Sequence, residues 1–144
     1  IIAAQRGAIV TASDISRLAT ENAEQNAALN QASISVVQSD LFEHLEGKFD
    51  WIVINPPYYP KTPQTAADHA WLCGENHEYF ERLFAQLSKS IHGRSKILII
   101  LSDVCDLPTI FEKAKKRSFQ FSKILEQRVW VDGRNTLYWI ESMN

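Results

Sequence analysis

Short apolar runs and amphipathic segments take turns along this chain, and that alternation limits the folds open to it. Residues 8–12, 33–38, 49–54 and 96–101 are compact runs rich in Ile, Val and Leu. Each ends on a polar residue or a turn, which reads as a strand. Between them, residues 16–30 put Ile15, Leu18, Ala19, Ala23 and Ala27 on one side of a helix that Asp14 or Ser16 can cap. Residues 75–91 repeat Tyr79, Phe80, Leu83, Phe84, Leu87 and Ile91 at helical spacing. Residues 106–118 start with Pro108 in a first turn, where its missing N–H costs nothing. A brief helical turn is expected over residues 41–46, stopped by Gly47. Residues 122–131 and 134–141 read as two strands joined at Asp132-Gly133, a pair suited to the positive φ of a tight hairpin. Strands separated by helices imply right-handed crossovers and a mostly parallel twisted sheet with helices on both faces, closed by a C-terminal antiparallel hairpin. The third run, 49–54, is apolar enough to be covered on both faces. The expectation is one α/β domain over residues 1–144.

Composition excludes several classes. No apolar run approaches the roughly 20 residues of a membrane-spanning helix. Cys73 and Cys105 are too few for a disulfide framework, and His44, His69, His77 and His92 show no metal-ligand spacing. A reducing, cytoplasmic setting, with no membrane and no metal, is the simplest expectation. Residues 1–88 carry 5 Lys/Arg and 11 Asp/Glu, whereas residues 89–144 carry 10 and 6. That basic second part keeps a nucleic-acid partner open.

In an open parallel sheet, ligands bind beyond the carboxyl ends of the strands. Here three strands end in Asp14, Asp40 and Asn55, and neighbouring parallel strands would set them along one crevice. A carboxylate at Asp14 can accept from the vicinal hydroxyls of a ribose, and one at Asp40 from a purine amine. Each can equally be a helix cap. Asn55-Pro56-Pro57-Tyr58 is more telling. Neither proline has an N–H, so the loop offers carbonyl oxygens without competing donors. The Asn55 side chain and the Pro56 carbonyl can together accept both hydrogens of a planar NH2. That grip orients the nitrogen and draws its lone pair out of conjugation. Tyr58 can stack on the planar group. Asp68 and His69 could line the acceptor pocket. Tyr59 and Trp71 could close over it or fill a small core of their own. Trp130, Tyr138 and Trp139 read as packing residues.

With Asn55-Pro56-Pro57-Tyr58 at a strand end, and Asp14 and Asp40 closing two earlier strands, the chain resembles the S-adenosylmethionine-dependent methyltransferases that modify planar amino groups. The small-domain type, which includes release-factor glutamine methyltransferases, is the nearest likeness. Thr62-Pro63, the stretch 70–74 and the hairpin from Gly133 through Leu137 add to it. The resemblance implies a Rossmann-like fold. It implies S-adenosylmethionine lying against Asp14, Ile15, Asp40, Leu41 and Asn55. It implies an acceptor site made by Asn55, Pro56, Pro57 and Tyr58. The implied acceptor is a glutamine side-chain amide of a release-factor-like protein. An adenine N6 group in RNA or DNA is the alternative, and a non-catalytic Rossmann-like binding module is a second. Residues 1–8 resemble the helix after that family's glycine-rich loop, so the first strand and the loop are expected upstream.

Overall fold

The structure is a computed structural model that describes residues 1–129 and 133–143. The expected Asp132 turn position and the packing role of Trp130 lie outside the described residues. The chain divides into two compact units, residues 1–46 and 47–144.

The first unit contains α1 (Ile2–Gln5), β1 (Val10–Asp14), α2 (Arg17–Leu29) and β2 (Ile34–Gln38). Strands β1 and β2 pair in parallel, with Asp14 opposite Gln38. Helix α2 crosses between them, as a parallel pair requires. The Ser16 side chain accepts from Ala19 N–H and caps α2. Asp14, the other candidate, does not cap it. The helix buries Thr20 and Ala27, small residues that let it lie close to the strands. Leu18 was expected on that face but is 77% exposed. The packed line runs through residues 16, 20, 23 and 27, and Leu18 lies well around the helix from it. The helical turn expected over residues 41–46 is a run of hydrogen-bonded turns rather than a helix. Leu41 takes φ +54, which ends any regular helix at its first residue.

The second unit is built on β3 (Trp51–Ile54), β4 (Lys96–Ser102), β5 (Phe119–Val129) and β6 (Gly133–Ser142), in the order β3-β4-β6-β5. The β3–β4 pair is parallel, and β4–β6 and β6–β5 are antiparallel. A short 3₁₀ helix (Ala66–Ala70), α3 (Glu78–Leu87) and α4 (Leu107–Lys116) complete the unit. Helix α3 is shorter than its apolar pattern suggested, because His77 enters it in the left-handed region and Ser88 closes it. Asp106 caps α4 by accepting from Thr109 N–H.

The core of this unit is aromatic. Phe84 on α3 meets Phe80, Phe119 and Phe121 with ring centroids 6.1–6.3 Å apart. Phe111 on α4 meets Phe121 and Tyr138. Tyr138 is therefore a packing residue, as expected, and so is Trp139, whose ring lies 5.9 Å from that of Trp51. Both helices lean on the sheet face that carries Ile97, Ile99, Phe121 and Ile140. The opposite face corrects the expectation for residues 49–54. Strand β3 alternates exposed and buried residues, with Val53 75% exposed. It is an edge strand of this sheet, and its outward side chains lie on the face away from α3 and α4. Lys96 Nζ, 4.9 Å from the Trp51 ring centre, partly covers that ring.

Candidate functional site

In the first unit, two acidic residues stand at the same ends of paired parallel strands. Asp14 closes β1. Its Oδ1 accepts from Ser16 N–H at 2.8 Å, and its carbonyl accepts from Ser39 N–H at 2.9 Å. Asp40 follows β2 by two residues, and its carbonyl accepts from Glu43 N–H. No helix begins there, so Asp40 is not a helix cap. A bond the sequence did not suggest ties the two loops together: Gln38 Nε2 donates to the Ile15 carbonyl at 3.1 Å. The only hint was a polar residue ending β2 opposite Asp14. Ser39 is buried, and its hydroxyl accepts from His44 N–H. Asp14 and Ile15 are exposed, and Asp40 and Leu41 are half-buried. Backbone bonds fix both acids at their strand ends, and a carboxylate in such a place can accept a ligand's hydroxyl or amine hydrogens.

In the second unit, Asn55 leaves the end of β3 exposed while Pro56 and Pro57 are buried beneath it. Tyr58 is half-buried. Its hydroxyl donates to Asn55 Oδ1 at 2.9 Å. Sequence reasoning gave the Tyr58 ring a stacking role and missed this bond, although residues three apart around a tight proline turn are close enough to make it.

The loop after the motif folds on itself. Tyr58 N–H and Tyr59 N–H both donate to the Trp71 carbonyl, at 3.0 and 2.9 Å. Cys73 N–H returns a bond to the Tyr59 carbonyl at 2.8 Å, and Gly74 N–H reaches the Lys61 carbonyl. Gly74 sits at φ +90 with Glu78 packed against its Cα, leaving no room for a Cβ. Inside the loop, the Asp68 carboxylate accepts from Gln64 N–H and Thr65 N–H at 2.8 and 2.9 Å. These bonds hold its carboxyl below the usual carboxylate range. Asp68 thus caps the loop's own short helix through Oδ2. Tyr59 and Trp71 are 43% and 63% exposed, which rules out their forming a small buried core.

Among the other singled-out residues, His44 and His92 contact Gln38 and Asp50. His77 is buried. Both cysteines are buried free thiols. Burial pushes the Cys73 thiol up to about 11, and burial raises that of Cys105 too. Neither can supply a thiolate nucleophile near neutral pH. A disulfide reagent at pH 8 is expected to leave both unmodified in the folded protein and to react with both in urea. Fast reaction of Cys73 in the native state would contradict its burial.

Residues 1–89 match the family model of the methyltransferase small domain. A putative protein N5-glutamine methyltransferase of Methanocaldococcus jannaschii is 44% identical over 69 residues, 47% of this chain and 35% of that protein. A ribosomal RNA small subunit methyltransferase C of Mannheimia succiniciproducens is 46% identical over 50 residues, 35% of this chain and 15% of that protein. Among solved structures, a ribosomal protein L11 methylase from Lactobacillus delbrueckii subsp. bulgaricus superposes with a TM-score of 0.68 at 26% identity. That match covers 94% of this chain and 58% of the other. The chain thus spans well under two thirds of the length of these curated relatives.

Proposed function

Because the chain belongs to the methyltransferase small domain family, with its Rossmann-like α/β fold and S-adenosylmethionine as cofactor, we propose that it transfers a methyl group to a planar NH2, most favourably a glutamine side-chain amide in a protein. The observation that carries this reading is Asn55-Pro56-Pro57-Tyr58 at the carboxyl end of β3, with the Asn55 carboxamide exposed and its oxygen engaged by Tyr58. When bound, S-adenosylmethionine supplies a methyl group activated toward displacement. Asp14 and Asp40 fit its ribose hydroxyls and adenine amine, with Ile15 and Leu41 beside them. Asn55 Oδ1 and the Pro56 carbonyl accept the two N–H groups of the acceptor. A nitrogen held by these two oxygens would have its lone pair turned out of conjugation, ready for methylation. The Tyr58 ring stacks on the planar group, and the proton leaves after transfer. Such positioning can contribute about 7–11 kcal/mol to lowering a barrier.

Acceptors of both kinds occur in the names of relatives, glutamine in one and ribosomal RNA in another. Charge pairing favours a protein acceptor. Lys113 and Arg117 both reach Glu81, Lys116 pairs with Glu112, Lys123 with Glu126, and Arg134 with Asp103. Five of the ten basic residues in residues 89–144 are therefore paired with acids, which weakens the segment as a track for phosphates.

Calorimetric titration of S-adenosylmethionine tests the cofactor half of the proposal. The protein is expected to bind it, and Asp14→Ala and Asp40→Ala are each expected to weaken binding by about tenfold or more, on the scale of a lost charge-assisted hydrogen bond. Unchanged affinity in both variants would sink the assignment of these acids.

A further inference from the structure

The two side chains at either end of the Asn55-Pro56-Pro57-Tyr58 motif are bonded to each other, Tyr58 hydroxyl to Asn55 Oδ1 at 2.9 Å. A carboxamide is nearly symmetric in shape and can turn over, exchanging its oxygen for its NH2. At an exposed strand end such as Asn55, water pairs with either orientation and does not choose between them. The acceptor does need a choice. An amine N–H meets a favourable partner in Oδ1 and another donor in Nδ2. A phenol is a better hydrogen-bond donor than acceptor, so its bond to Oδ1 favours this orientation over the flipped one, in which Nδ2 would have to donate to the phenol oxygen. Oδ1 has two lone pairs, so one remains for the acceptor. Tyr58 can act this way because it is itself fixed. Its N–H and that of Tyr59 end on the Trp71 carbonyl, and the two prolines before it restrict φ.

We propose that the Tyr58 hydroxyl is a positioning group: it locks the Asn55 carboxamide with its oxygen turned toward the acceptor nitrogen. The proposal rests on the reading of Asn55 as the residue that holds the acceptor NH2. The hydroxyl works through Asn55, while the ring keeps its own place against the acceptor.

Tyr58→Phe separates the two, since it keeps the ring and removes only the hydroxyl. The first readout needs no acceptor. In ¹⁵N relaxation of the Asn55 side-chain NH2, the native protein is expected to behave as an ordered group. In Tyr58→Phe its order parameter falls below about 0.6, the flexible range, with backbone amides 54–58 unchanged. The second readout is methyl transfer to a glutamine-bearing peptide. There kcat falls about tenfold while KM moves less than about twofold, because a misoriented carboxamide costs productive geometry rather than encounter. An Asn55 side chain equally ordered in both proteins overturns the proposal. So does a loss of order that leaves kcat at the native value. If instead Asn55→Ala retains full transfer, the reading of Asn55 fails, and the relaxation experiment still decides whether Tyr58 orders it.

Discussion

Asn55→Ala is expected to lower methyl transfer by at least about a hundredfold while leaving S-adenosylmethionine affinity within about twofold. The magnitude follows from the worth of one fixed hydrogen-bond partner at a reacting centre, about 10²–10³ in rate. In the proposed reading the substitution removes the oxygen that accepts one acceptor N–H, and it removes the bond from the Tyr58 hydroxyl to Asn55 Oδ1. The division between rate and cofactor affinity follows from the proposed roles, in which Asp14 and Asp40 carry the polar hold on the cofactor and Asn55 acts chiefly on the acceptor. Transfer kinetics and calorimetry on the same preparation check both halves. A variant that transfers normally would remove Asn55 from the chemistry. One that has lost cofactor binding would move it from the acceptor's side to the cofactor's.

The largest expected effect on stability is at Phe84. Its side chain is 1% exposed and touches aromatic rings from α3 and β5. Truncating a buried Phe to Ala typically costs about 3–5 kcal/mol, because the transfer energy is lost and the cavity only partly collapses. Against a typical domain stability of about 5–15 kcal/mol, Phe84→Ala should bring the denaturation midpoint down sharply or prevent folding. Trp71→Ala, at an exposed position, is the matched control and should shift stability by no more than about 0.5 kcal/mol. Comparable denaturant midpoints for the two variants would contradict the core described above.

The alternation of apolar runs announced the strands because a buried strand must be apolar and short, and each such run forms one here. The terminal hairpin was equally visible, since its strands are long and its turn residues distinctive. Periodicity could not say which apolar residue of a helix would face inward when several were available. Leu18 therefore pointed the wrong way, and a line of small residues packs instead. Nor could it tell a covered face from an open one: Trp51 and Val53 are as apolar as any core residue, yet both are exposed on the face away from α3 and α4. At the site, the types and places of Asp14, Asp40 and Asn55 were legible from their positions at strand ends. The bonds that hold them were not. Gln38 to Ile15, Tyr58 to Asn55 and the Trp71 carbonyl all depend on backbone geometry that a string of letters does not carry.

That carbonyl has a further consequence. The motif is fastened at both ends of its loop by main-chain atoms: Tyr58, Tyr59 and Lys61 on one side, Trp71, Cys73 and Gly74 on the other. These bonds join main-chain atoms and, apart from Gly74 with its φ of +90, make no demand on residue type. The intervening stretch, residues 62–70, is stapled shut like the bight of a rope, its own shape kept by Asp68. Such a segment can be rewritten in sequence, and even in length, without re-aiming Asn55. If Asn55 holds the acceptor as proposed, the chain separates what must stay constant for transfer from what can drift to suit a different methyl acceptor.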